Sequence, residues 1–143
     1  EILLFQASRA QLVRELIRPA LADGKVVLCD RYADSTIAYQ GYGHQTDIEQ
    51  LTRIVEFATG GLKPDLTLYL DIDAEQGLRR RSDGEGEWNR LDDYALEFHQ
   101  RVRRGYHAMI AAESERWVQI DGDQPPEAVQ QEMQKAVMER LGG

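Results

Sequence analysis

Apolar positions recur at helical spacing over residues 1–22, where Phe5, Leu12, Val13, Leu16 and Ile17 predict a helix that Pro19 either kinks or restarts. Residues 26–29 (VVLC) form a short apolar, β-branched run between Gly24 and charge, the pattern of a strand buried on both faces. Thr46 to Glu49 has the form of a capping box, and Ile48, Leu51, Ile54, Val55 and Ala58 follow at helical spacing until Gly60 and Gly61 stop the helix. Residues 66–72 (LTLYLDI) predict a second strand, so that strand, helix and strand make a parallel α/β unit with a right-handed crossover. A short helix over 74–81 ends in three arginines. A long helix over about 91–116 carries a stripe of Leu91, Tyr94, Phe98, Val102, Met109 and Ile110. Residues 117–121 predict a third strand. Pro125 and Pro126 then introduce a last helix with Val129, Met133, Val137 and Leu141 on its apolar face.

Composition narrows the class. With 143 residues, 42% apolar and 29% charged, the chain is an ordinary globular length for one core. Seventeen basic against twenty-five acidic residues give a formal charge of −8, which excludes a broad basic footprint for nucleic acid. No stretch reaches the length of a membrane span or has a signal-peptide pattern. The single Cys29 cannot form an internal disulfide and reads as a buried core residue in a reducing, cytoplasmic compartment. The helical pattern begins at Glu1 with no strand, turn or cap before it, so the chain is expected to start in the middle of a domain. No internal repeat or linker is visible, and His44, His99 and His107 lack metal-binding spacing.

Candidate chemistry concentrates after residues 26–29. A parallel strand delivers functional groups at its carboxyl end, which places Asp30 and Arg31 in a ligand crevice. Asp30 offers oxygen to a metal or its bound water, and Arg31 a planar fork for a phosphate. The alternative is a turn-capping Asp30 paired with Arg31 on the surface. Phe5 and Arg9, four apart, share a helix face and can address one object by stacking and by hydrogen bonds. Taken singly, the first reads as core and the second as solvated. Arg79, Arg80, Arg81 and Arg90 flank a glycine- and charge-rich segment that could close over phosphates, or could instead complement a helix end.

Read together, LLFQASRAQLV at 3–13, VVLCDRYADSTIAYQGYG at 26–43, KPDLTLYLDID at 63–73, RLDD at 90–93 and QIDGDQPPEAV at 119–129 resemble the bacterial thymidylate kinases in order and spacing. That resemblance implies a P-loop nucleoside monophosphate kinase fold of α/β class, a parallel sheet with helices on both faces. It implies phosphoryl transfer from ATP to dTMP, giving dTDP and ADP, with Mg2+ and typically as a homodimer. Phe5 would stack on thymine and Arg9 would bond its O4; Thr36 and Gln40 would contact the base, and Tyr39 would pack near the sugar. Arg31 would hold the dTMP phosphate, with Asp30 beside the magnesium and Tyr106 approaching the nucleotide. Arg90 and the arginines at 79–81 would form a mobile lid at about 79–90, and the turn after Asp121 would lie on the adenine side. Two departures stand out. No G-x-x-x-x-G-K-[ST] occurs in the chain, so the family's P-loop and one arginine-bearing segment would precede Glu1. The 143 residues are therefore expected to be a single, truncated kinase domain, inactive by themselves. The lid centre is also acidic, at Asp83, Glu85 and Glu87. A related P-loop deoxynucleoside kinase, or a dTMP-binding remnant without catalysis, are the alternatives.

Overall fold

A computed structural model describes residues 1–81 and 90–142, except the side chains of Arg81, Arg90, Leu91 and Asp92. The chain forms two compact units, Glu1–Lys63 and Pro64–Gly143.

In the first unit, α1 (Ile2–Leu12) runs through a wide, π-type turn (Val13–Ile17) into α2 (Arg18–Ala22). The Arg18 N–H donates to the carbonyl of Val13, five residues back. This wider turn falls directly before Pro19, which has no N–H to give and whose ring crowds the preceding turn, so the helix widens there instead of breaking. Only a narrow stripe is buried, namely Gln6, Val13 and Ile17; Phe5, Leu12 and Leu16 are exposed, contrary to the expected apolar face. The expected strand at 26–29 is absent. These residues form irregular chain, with Val26 63% and Leu28 86% exposed. A strand exists through its ladder partners, and no strand among the described residues pairs with this run, so apolar, β-branched composition alone does not make it one. Cys29 is accordingly exposed, not core, its thiol 3.8 Å from the Arg31 carbonyl.

After a bend at 30–31 the chain forms α3 (Ala33–Thr36) and a second π-type segment (Ile37–Gly43). Gly41 faces α4 (Ile48–Thr59), where a Cβ would lie 3.4 Å from both Ile48 and Leu51, at the edge of ordinary contact. The cap of α4 is Asp47, not Thr46: its carboxylate accepts the Gln50 N–H at 3.0 Å, satisfying one orphan donor of the first turn. Leu51, Val55 and Ala58 are buried, whereas Ile48 and Ile54 are exposed. Burying a Leu or Val side chain contributes roughly 1.5–3 kcal/mol, so Leu51 and Val55 anchor the helix. Gly60 ends it in the left-handed region at φ 59°, and the Arg18 guanidinium donates to its carbonyl at 2.8 Å.

The second unit is built on two parallel strands, β1 (Thr67–Asp71) and β2 (Trp117–Asp121), in register from Thr67 opposite Trp117 to Asp71 opposite Asp121. Between them come α5 (Ala74–Arg81) and α6 (Arg90–Ala112), the long crossover that a parallel pair requires. Val102 of α6, Trp117 and Ile120 of β2 and Ala136 of α7 (Pro126–Arg140) form the core. Tyr94 is exposed, whereas Phe98, Met109 and Ile110 are half-buried. The face of α7 centres on Ala136, with Val129, Met133 and Val137 half-buried and Leu141 exposed. At the start of both strands, Arg140 donates to the carbonyls of Asp65 and Glu115 at 2.7 and 2.8 Å, fixing the two chains as they enter the sheet.

Candidate functional site

In the first unit, a triangle of side chains joins α1 to α3. Arg9 Nη1 donates to Gln6 Oε1 at 2.9 Å and to Thr36 Oγ1 at 2.8 Å, while Gln6 Nε2 donates to the same Thr36 oxygen at 3.3 Å. Arg9 Nη2 adds a bond to the Tyr32 carbonyl at 3.3 Å, and the guanidinium lies 5.7 Å from the Tyr32 ring centroid. Gln6 is 3% and Thr36 4% exposed. Helical spacing puts Gln6 and Arg9, three apart, on one face, where Gln6 continues the Val13 stripe seven residues back. Burial lowers the Arg9 pKa and the nearby Tyr32, Cys29 and Asp34 oppose it; burial likewise raises that of the Tyr32 phenol, which donates to the Leu62 carbonyl. The result is a partly desolvated cation held by Gln6, Thr36 and Tyr32, on the same helix as the half-exposed Phe5.

The bend that follows holds Arg31 in the left-handed region, at φ 60°. A non-glycine residue there stores local strain, which concentrates at functional positions. Arg31 Nε donates to Ser35 Oγ at 3.4 Å, and its guanidinium lies 4.3 Å from the Tyr39 ring centroid. These two contacts engage Nε and one face of the guanidinium. Asp30 is exposed beside it, and Gln40 is half-buried.

The second unit carries its polar centre at the carboxyl ends of its strands. The Asp71 side chain, 10% exposed, receives Arg103 as a fork (Nε to Oδ1 at 2.7 Å, Nη2 to Oδ2 at 3.0 Å), with Gln119 at 2.8 Å, His107 at 3.1 Å and the Tyr69 hydroxyl at 3.3 Å. Burial pushes the Asp71 pKa up, but the hydrogen bonds from Arg103 and His107 outweigh it and hold the carboxyl below its usual value. Burial and the Asp71 charge raise the Tyr69 phenol. Asp71, Asp73, Gln76, Arg103, Gln119, Asp121 and Asp123 line an open cleft of about 660 Å³. Ligands of open α/β sheets bind at this end of the strands.

Thymidylate kinase is the family whose model matches residues 1–133. The chain belongs to this family. It is 54% identical to the thymidylate kinase of Roseiflexus sp. (strain RS-1) over 144 residues, which cover 93% of the chain and 64% of that protein. Against the thymidylate kinase of Desulfovibrio desulfuricans it is 52% identical over 96% of the chain and 66% of the relative, and against that of Deinococcus radiodurans 47% over 98% and 68%. The chain thus spans slightly less than two thirds of the first of these relatives. Thymidylate kinases have the P-loop nucleoside monophosphate kinase fold, an α/β class to which the parallel strands and helices seen here conform.

Of the residues assigned by the thymidylate kinase resemblance, the structure brings Arg9 and Thr36 into direct contact and stacks Arg31 on Tyr39. Phe5 is on the same helix, half-exposed, and Gln40 and Asp30 belong to the same unit. Tyr106 belongs to the second unit, stacked on Tyr69 at 4.6 Å and edge-on to Trp117 at 6.2 Å. Arg79 pairs with Glu75 at 2.8 Å, and Arg80 donates to the Gly122 carbonyl at 3.0 Å and to Asp123 at 2.5 Å, so both guanidinia are engaged within the second unit. The remaining lid positions, 82–89, and the side chains of Arg81 and Arg90 lie outside the described residues. Sequence reasoning passed over Gln6 and the Asp71–Arg103 pair. Signals existed for both: a glutamine on the seven-residue repeat of a buried stripe, and an acid inside an otherwise apolar strand facing a long helix rich in arginine.

Proposed function

We propose that the intact protein transfers the γ-phosphoryl group of ATP to dTMP, giving dTDP and ADP. The family match over residues 1–133, with relatives named thymidylate kinase, carries this reading and favours it over a deoxynucleoside kinase or a non-catalytic remnant. The geometry agrees. Arg9 and Thr36 offer hydrogen-bond donors for the thymine carbonyl beside Phe5, whose ring would stack on the base, with Gln40 and Tyr39 completing the base and sugar contacts. Arg31 would grip the acceptor phosphate with its Nη edge, already oriented by Ser35 and Tyr39. Asp30 is an exposed hard oxygen donor next to that grip, and one carboxylate with substrate phosphates and water is an ordinary site for Mg2+. Asp30 would hold the Mg2+, which would supply positive charge to neutralise the phosphates. Arg90 and the arginines at 79–81 would neutralise charge on the donor side, and Tyr106 would approach the nucleotide. A single kinase domain, a cytoplasmic location and a homodimer belong to the same reading, and the exposed Leu12, Leu16 and Phe57 give a dimer apolar surface to bury. No nucleic-acid or membrane partner is proposed: the formal charge is −8, and no helix among the described residues is long and apolar enough to cross a membrane. The test is a coupled assay of ADP release from ATP by the intact protein with dTMP or dCMP as acceptor. Turnover confined to dTMP and dependent on Mg2+ is expected; none with dTMP overturns the proposal.

A further inference from the structure

Gln6 has no part in the reading above, yet it is among the most buried polar side chains of the first unit, at 3% exposed. Its amide closes the Arg9–Thr36 contact into a triangle, accepting from Arg9 and donating to Thr36. A threonine hydroxyl has two acceptor lone pairs and one proton. Both lone pairs of Thr36 are taken, by Arg9 Nη1 and Gln6 Nε2, which leaves the hydroxyl only its proton to offer. Arg9 spends both Nη1 protons and one Nη2 proton on Gln6, Thr36 and Tyr32, keeping one on Nη2 and one on Nε. Apart from the second lone pair of the Gln6 oxygen, what the triangle still presents is donors.

We propose that Gln6 is a positioning residue for base selection, holding the Arg9 guanidinium in place and fixing Thr36 as a donor. The site then meets the O4 carbonyl of a pyrimidine with two donors, Arg9 and Thr36, and rejects an exocyclic amino group there with both instead of one. This rests on the assignment of the first unit to the base of the acceptor nucleotide. Only a side chain that both accepts and donates can do it. Leucine would fill the volume but free Arg9 and release one lone pair of Thr36. Glutamate would still hold Arg9, but as a carboxylate it would take the Thr36 proton and turn the hydroxyl into an acceptor toward the ligand.

Equilibrium binding of dTMP and of dCMP is measured by calorimetry at pH 8 for the intact wild-type protein, Gln6→Leu and Gln6→Glu, with circular dichroism to verify folding. The dTMP over dCMP affinity ratio is expected to fall about tenfold in each variant, the scale of one misdirected buried hydrogen bond. In Gln6→Glu, dCMP affinity should rise in absolute terms. Equal weakening of both nucleotides, or an unchanged ratio, overturns the proposal and returns Gln6 to a packing role. The Gln6→Glu result decides alone if Gln6→Leu does not fold. A wild type that binds dTMP no better than dCMP instead removes the base-site assignment itself, a result distinct from a change between variants.

Discussion

The guanidinium of Arg31 lies over the Tyr39 ring, 4.3 Å from its centroid, while Nε donates to Ser35. The contact contributes roughly 0.5–1 kcal/mol at an exposed site, but its larger consequence is orientation: in the proposed site the two contacts would turn the Nη edge toward the acceptor phosphate. A lysine can neither lie flat on the ring nor form a fork. Arg31→Lys in the intact protein should therefore raise the KM for dTMP at least tenfold and leave that for ATP within about twofold. Steady-state kinetics with each substrate varied checks this. The opposite pattern would assign Arg31 to the donor.

The backbone at the same residue makes a separate prediction. At φ 60°, any side chain with a Cβ bears strain of about 1–2 kcal/mol that glycine escapes. Arg31→Gly should consequently be about 1 kcal/mol more stable than Arg31→Ala in urea melts, although both lose the guanidinium. Equal midpoints would mean that the turn relaxes once the arginine is gone.

On the proposed base site, Arg9 would supply the selectivity that Phe5 cannot, because every base presents a face on which to stack. A guanidinium has donors and no acceptor, so it satisfies a carbonyl at the position where cytosine carries an amino group. In Arg9→Gln, whose amide can donate or accept, the kcat/KM ratio of dTMP over dCMP should collapse by about 10³ or more, mostly through lost dTMP activity. An unchanged ratio would move base selection to Thr36 and Gln40.

Much of the architecture was legible because periodicity is local: α4, β1, α5, β2 and α7 lie where the apolar spacing puts them. The misses share a cause in the surroundings of the chain. Residues 26–29 have strand composition, but no strand among the described residues pairs with them. Leu12 and Leu16 have helical spacing, yet the face of α1 turned inward is the one bearing Gln6, Val13 and Ile17, and spacing does not say which of two overlapping stripes is covered. For the site, motifs named Arg9, Thr36 and Arg31, while the contacts that orient them, through Gln6, Tyr32 and Ser35, depend on how α1 and α3 approach each other. The Asp71 network was missed because the strand was read by its apolar residues, and its partners Arg103, His107 and Gln119 come from α6 and β2.

That network carries the last prediction. Asp71 accepts from Arg103, Gln119, His107 and Tyr69, linking β1, β2 and α6 through one carboxylate. Its folded pKa lies below the unfolded value of about 3.9, so the charge stabilises the fold fully above that value. The contribution is lost as pH falls through the depressed folded pKa, where the carboxyl protonates in the native state too. Asp71→Asn replaces one acceptor oxygen with an amino group that faces donors and removes the closer of the two carboxylates that pair with Arg103, leaving it Asp73 at 3.6 Å. Removing a partner from a buried pair costs ~3–5 kcal/mol; with the Arg103 side chain 36% exposed, about 2 kcal/mol is expected at pH 7. Urea unfolding of wild type and Asp71→Asn from pH 7 to 2 should show a constant gap down to about pH 4 that narrows below it. A gap independent of pH would assign the cost to lost hydrogen-bond geometry and not to the charge.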